Sequence, residues 1–69
     1  MEEFKLVRNG FVELNDLMKL TGMCESGGMA KTMIIEGKVM VDGKTELRRR
    51  RKIRAGQIVR FEDREVRVV

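Results

Sequence analysis

A run of five consecutive cations is the part of the sequence whose residue types most clearly define a chemistry. The arginine guanidinium donates two parallel hydrogen bonds that match the oxygens of a phosphate, and neutralising several phosphates releases bound counterions. Residues 44–54 carry seven basic residues against the single acid Glu46, so the positive charge is concentrated in this segment. The run comprises Arg48, Arg49, Arg50, Arg51 and Lys52.

Nucleic acid is the partner that best accounts for this run. The simplest alternative is a solvated charged loop, but adjacent like charges repel one another and destabilise a small fold unless a polyanion binds them. An anionic membrane surface is a weaker alternative, because the run contains no large apolar residue that could insert. We therefore expect a nucleic-acid partner and no membrane partner.

A second possible phosphate site precedes a predicted helix. Ser26 is a favourable helix N-cap, and Gly27 and Gly28 follow it. Without side chains in the first turn, a phosphate could approach the backbone N–H groups at the positive end of the helix, and Lys31 could join it. Alternatively, the two glycines allow this part of the chain to pack tightly against its neighbours. The sequence leaves both interpretations open.

Catalysis and metal binding find little support in the residue types. The sequence contains no histidine, one serine and one cysteine, which excludes Ser-His and Cys-His nucleophile pairs and a Cys/His zinc site. The glycines form neither a phosphate-binding loop nor a dinucleotide fingerprint. We expect no enzyme activity, no catalytic residue, no metal, no cofactor and no small-molecule substrate, and we expect Cys24 to be a small core residue.

The elements that must position these groups follow from hydrophobic periodicity. Helices are predicted over residues 13–21 and 26–36, ended by Gly22 and Gly37. Asp42-Gly43 predicts a tight hairpin. The predicted fold class is α+β, with two N-terminal helices arranged like a helix-turn-helix and packed on a small, bent, antiparallel sheet of four to five strands. The strands are predicted over residues 38–41, 44–47, 58–61 and 65–69.

The composition also limits the number of domains, the cellular location of the protein and the kind of nucleic acid that it binds. We expect residues 1–69 to form one monomeric domain in the cytoplasm, because the sequence shows no linker, secretory signal or long apolar stretch. Only three aromatic residues are present, whereas single-strand binders stack bases on exposed aromatics. Folded RNA recognised by shape and phosphate position therefore fits better. DNA groove recognition by the second helix remains open, although that helix would expose mainly glycine, lysine and threonine.

From about residue 14 to residue 59, two-thirds of the chain, the sequence resembles the S-four RNA-binding domain, also called the alpha-L motif, a family named after a small-subunit ribosomal protein. The likeness is greatest to short bacterial members with a Ser-Gly-Gly-x-Ala-Lys segment and an arginine-rich run. The residues that carry it are Gly22, Ser26, Ala30, Met33-Ile34, the segment from Gly37 to Gly43, and Gly56.

The resemblance implies binding of ribosomal RNA or tRNA, or of the ribosome itself, by the two helices and the adjoining loop. Gly27 and Glu13 stand where many members have basic residues, which moves the expected contacts to the second helix and the run. The expected RNA-binding residues are Lys19, Ser26, Gly27, Gly28, Lys31, Lys38, Arg48, Arg49, Arg50, Arg51 and Lys52. Two alternatives are a ribosome-associated adaptor that also uses a protein surface, and an RNA-modifying role that would require a separate catalytic chain.

Overall fold

The computed structural model describes residues 1–6 and 10–69, and within them the chain forms two helices and seven short strands. Helix α1 spans Leu14–Leu20 and helix α2 spans Gly27–Ile35. The strands are β1 (Glu2–Phe4), β2 (Val12–Glu13), β3 (Val39–Val41), β4 (Lys44–Thr45), β5 (Lys52–Ile53), β6 (Ile58–Phe61) and β7 (Arg64–Val68).

Both predicted helices are confirmed, with small differences at their ends. Gly22 ends α1 with a positive φ of 78°, a conformation that favours glycine. Ser26 caps α2, because its Oγ accepts a hydrogen bond of 3.1 Å from the backbone N–H of Met29. Ala30 and Ile34 of α2 are buried, as their spacing predicts.

The hairpin predicted at Asp42-Gly43 is also confirmed. Both residues have positive φ, 52° and 82°, and they connect the antiparallel strands β3 and β4. Strand β3 pairs on its other side with β6, and β6 pairs with β7 in antiparallel register. Val59 and Val66 face each other across that last pair, and both are fully buried.

Two features of the predicted fold class are wrong. The sheet is mixed rather than antiparallel, because β1 adds parallel to β7 in a five-stranded sheet of order β1-β7-β6-β3-β4. Strands also precede the helices, since β1 and β2 come first and β2 pairs with β5 in a separate two-stranded ribbon. β1 contains two acidic residues in three, and β2 and β5 have two residues each, so none of them carries a readable alternation.

One hydrophobic core joins the helices to the sheet and to the ribbon. Its fully buried members include Leu17 of α1, Ile34 of α2, Ile53 of β5 and Val68 of β7. Cys24 is buried in the same core, as predicted, and this burial raises the pKa of its thiol. Within residues 1–6 and 10–69, no helix is long and apolar enough to cross a membrane.

Candidate nucleic-acid interface

The ribbon of β2 and β5 determines which side chains of the basic segment face solvent. Val12 pairs with Ile53, and both belong to the core side of the ribbon. Because side chains alternate between faces along a strand, Lys52 and Arg54 project from the opposite side, and both are exposed. The buried Ile53 therefore anchors this end of the basic segment to the core and directs its neighbours outward.

The four arginines before this strand form a tight turn. The N–H of Arg51 donates a 3.1 Å hydrogen bond to the carbonyl of Arg48, which closes the turn and leaves Arg49 and Arg50 at its corners. We call residues 48–51 the arginine turn. Arg49 and Arg50 are both exposed. The turn thus presents two guanidinium groups at its tip.

The backbone of the arginine turn also caps helix α1. The residue before the helix, Glu13, makes no side-chain capping bond. Instead, the N–H groups of Leu14 and Asn15 donate to the carbonyls of Arg51 and Arg49, at 2.9 and 3.0 Å. These carbonyls take the place of a cap and lie at the positive end of the helix. The position of the turn is therefore fixed by the start of α1.

A buried carboxylate holds two of the four arginine side chains. Glu46 is only 7% exposed. Its Oε2 accepts bonds from the N–H and the Nε of Arg48, at 3.0 and 2.9 Å, and its Oε1 accepts from Arg51 Nη1 at 2.7 Å. The side-chain bond from Arg48 is the main reason why the pKa of Glu46 falls from 4.5 to about 2. Glu46 therefore stays ionised and neutralises one of the two arginines it contacts.

The remaining cations of the segment keep most of their charge available. Arg50 lies 3.7 Å from Glu13, a long contact between a largely exposed side chain and a partly exposed one. Among residues 1–6 and 10–69, no carboxylate lies within ion-pair distance of Arg49. The cations Lys52 and Arg54 lie over the ring of Phe11, at 5.0 and 5.6 Å from its centroid. Such contacts orient a cation without neutralising it.

Together these groups line one open groove, which we call the arginine groove. Two of its members, Arg54 and Gln57, are missing from the residues expected from sequence, although the two-residue spacing from Lys52 to Arg54 is a signal that could have identified Arg54. The side-chain amide of Gln57 accepts from the N–H of Arg54 at 2.8 Å. The lining residues are Arg48, Arg49, Arg50, Arg51, Lys52, Arg54 and Gln57.

The glycine-fronted start of α2 lies near the other end of α1. Residues 21–26 connect the end of α1 to Gly27, whereas the arginine turn contacts the beginning of α1. Seven helical residues span about 10 Å, so the arginine turn and the connection that leads to α2 lie at opposite ends of that length. That they form one continuous cationic surface stays a prediction.

The three predicted lysines are distributed around the helix pair. Lys19 is exposed in the last turn of α1, and Lys31 is exposed on α2. Lys38 follows the end of α2 and forms a 3.2 Å ion pair with Glu36, in which both side chains are about half exposed. Lys19 therefore lies next to the connection between the helices, Lys31 lies in the middle of α2, and Lys38 lies beyond the far end of α2.

The structure distinguishes the two interpretations of the glycines in α2. A Cβ placed on Gly27 would meet no heavy atom within 4 Å among the described residues, and one on Gly28 would meet only Ser26 Oγ, at 3.8 Å. Neither glycine has a positive φ. Neither tight packing nor an unusual backbone conformation therefore explains these glycines. The remaining interpretation is that they leave the start of the helix open to a ligand.

Metal-binding groups are not part of this surface. Among residues 1–6 and 10–69, no three histidine, cysteine, aspartate or glutamate side chains are grouped closely enough to hold a metal ion. The polar groups that converge in the arginine groove are guanidinium, ammonium and amide groups, which donate hydrogen bonds to anions. This set suits a polyanion with several phosphates.

Two known bacterial proteins are similar to this chain in sequence. YbcJ of Escherichia coli (strain K12) is 52% identical over 69 residues, which cover 100% of this chain and 99% of YbcJ. RlbA of Bacillus subtilis (strain 168), named a probable ribosome maturation protein, is 37% identical over 51 residues, covering 74% of this chain and 72% of RlbA.

The fold and the family agree with these relatives. The solution structure of YbcJ matches with a TM-score of 0.77 and covers 100% of this chain and 87% of that one. It is described as revealing an alpha-L motif involved in RNA-binding. The S4 domain family matches residues 4–69 of this chain. The match covers nearly the whole sequence and confirms the resemblance seen in its motifs, so the chain belongs to the S4 domain family.

Proposed function

We propose that this protein binds structured RNA, either ribosomal RNA or tRNA, through phosphate contacts made by the arginine groove. The observation that carries the proposal is the arginine turn, whose backbone is bonded to α1 while Arg49 and Arg50 project at its tip. Membership of the S4 domain family and the description of the YbcJ structure support RNA as the polyanion. The name of RlbA favours ribosomal RNA as the first RNA to test.

This surface is suited to recognise the positions of phosphates rather than the identity of bases. The arginine groove carries six cations, and Glu46 offsets one of them. Phe11 is the aromatic ring beside the groove, and two cations already lie over it. Base stacking on aromatics therefore contributes little, and the spacing of phosphates in a folded RNA becomes the main source of selectivity.

The start of α2 supplies a second phosphate contact in this proposal. Ser26 Oγ bonds to the N–H of Met29, which leaves the first N–H groups of the helix directed outward next to side-chain-free glycines. Lys31 lies one turn further along the helix. A phosphate at this position would be held by the helix dipole and by the N–H groups of Gly27 and Gly28, with Lys19 as a further contact. Lys38 would make a separate contact beyond the other end of α2.

A ribosome-associated adaptor that also contacts protein is the second candidate function. Besides the terminal Met1, three large apolar side chains among the described residues are more than half exposed, namely Leu20 at 62%, Ile35 at 57% and Leu47 at 58%. Exposed apolar residues of this size occur at protein interfaces. If the second candidate is correct, association with ribosomal particles survives nuclease treatment, whereas association through RNA alone is lost.

Replacing Arg49 with alanine tests the groove directly. We expect binding to ribosomal RNA to weaken about tenfold, and the slope of log affinity against log salt, about −4 for five phosphates, to fall in magnitude by about one. The matched control is R67A, which removes one exposed arginine from β7 outside the groove. Filter binding at several salt concentrations measures both variants. Equal losses in R49A and R67A, or a slope near zero in the unmodified protein, would contradict the proposal.

A further inference from the structure

We infer that Glu46 is a positioning residue for RNA binding, which holds Arg48 and Arg51 in place so that the tip of the arginine turn is presented in one fixed conformation. The inference rests on the proposed function, because it concerns the same groove. It assigns a role in RNA recognition to an acid, a residue type that bulk electrostatics would exclude from such a surface. The experiment below separates its failure from that of the groove itself.

The contacts of Glu46 account for both carboxylate oxygens. Oε2 takes two bonds from Arg48, one from its backbone N–H and one from its Nε, and Oε1 takes bonds from Arg48 Nη2 at 3.3 Å and Arg51 Nη1 at 2.7 Å. One carboxylate thus bridges the first and last residues of the arginine turn. The turn is closed twice, once by its own backbone bond and once by this side chain.

Glu46 is itself tied to the rigid part of the molecule. Its N–H donates a 3.0 Å bond to the carbonyl of Val39, a fully buried residue of β3. The backbone of Glu46 is therefore fixed to β3, while two carbonyls of the turn are bonded to α1. Two separate elements, β3 through Glu46 and α1 through its first N–H groups, thus fix the arginine turn.

The position of this acid has an electrostatic cost for a polyanion-binding surface. Glu46 is the single acid among residues 44–54, and it cancels one positive charge of the groove. If affinity depended on charge alone, its loss would strengthen binding to every RNA. An acid in this position is instead expected to improve selectivity, because arginines ordered before binding lose less side-chain entropy when they meet phosphates of matching spacing.

The variant E46Q separates charge from position. Glutamine has nearly the same shape, but its amide nitrogen donates hydrogen bonds and cannot replace the second accepting oxygen. The arginine bonds to that oxygen are therefore lost, and the net charge rises by one. We expect E46Q to bind structured ribosomal RNA about tenfold more weakly relative to unstructured oligo(U) than the unmodified protein does. The control is E3Q, which removes the same charge from an exposed position of β1 outside the arginine groove. This control should leave the ratio of the two affinities unchanged.

Titrations of both RNAs, with folding checked by circular dichroism, give the outcome. A lower ratio in E46Q but not in E3Q supports the inference. An unchanged or higher ratio in E46Q overturns it, even if R49A still weakens binding and the proposed function stands. If E46Q does not fold, E46D is measured by the same criterion, since its shorter carboxylate keeps the charge but cannot bridge both arginines. By contrast, if R49A bound ribosomal RNA as tightly as the unmodified protein does, the proposed function itself would be contradicted.

Discussion

Ionisation of Glu46 links the arginine turn to the stability of the protein. Its pKa is lowered from 4.5 to about 2, chiefly by the side-chain bond from Arg48, so the folded state holds the charged form more firmly than the unfolded chain does. The corresponding stabilisation, about 3 kcal/mol, is complete above pH 4.5 and is lost as the pH falls through 2. We expect the difference in unfolding free energy between the unmodified protein and E46Q to shrink across this interval.

Urea unfolding at pH 6 and at pH 2.5 measures this difference. The control is E36Q, which removes a carboxylate from the exposed ion pair with Lys38. A difference that stays constant between the two pH values would show that the bonds to Glu46 do not depend on its charge. Sequence alone identifies Glu46 as the single acid in the basic segment, but it does not reveal the bonds to Arg48 and Arg51. Those bonds exist because the chain turns back on itself at residues 48–51, and this geometry depends on α1.

At the level of elements, helix α2 combines a capped start with two glycines that lower its stability. Gly27 has open space around the position of a Cβ, so alanine can be accommodated there and should raise the thermal midpoint by a few degrees. The added methyl group would also stand in front of the helix N–H groups. If a phosphate binds there, G27A becomes more stable but binds ribosomal RNA several-fold more weakly.

The control for this change is T32A, an alanine substitution at an exposed position of the same helix, beyond its first turn. Thermal melts and RNA titrations of both variants are compared. If G27A is more stable but binds ribosomal RNA with unchanged affinity, the start of α2 is not part of the interface. Weaker binding in both variants would point to a general effect of the helix rather than to a contact at its first turn.

The elements differ in how far the sequence can predict them. The helices and the hairpin at Asp42-Gly43 are governed by local rules, namely periodicity, the Ser26 cap and residues that accept positive φ, so they were predictable. Strand β1 forms because β7 has an open edge to which a distant segment can bond, and β5 forms because Ile53 reaches the core. Such pairings depend on tertiary contacts, which short segments of sequence do not encode.

Across the whole molecule, the binding surface lies away from the side-chain bonds that join β7 to β1 and to the turn after the first helix. The arginine groove is built at the start of α1, whereas Arg64 joins three parts of the structure near the end of α1. Its guanidinium donates two bonds to the carboxylate of Glu2, at 2.9 and 2.6 Å, and one of 2.9 Å to the carbonyl of Thr21. Arg64 thereby connects β7 to β1 and to the turn after the first helix.

This separation predicts that stability and binding can be changed independently. In R64Q the paired bonds to Glu2 are lost, and β1 keeps its backbone pairing with β7 and the packing of Phe4 against the core. We expect the thermal midpoint to fall by a few degrees, while the affinity for ribosomal RNA and its salt slope stay within about twofold of the unmodified protein below the melting range. The variant R49A should show the reverse, with weaker binding and an unchanged midpoint. A fall in affinity in R64Q equal to that in R49A would mean that the two ends of α1 act as one surface, and that Arg64 belongs to the interface.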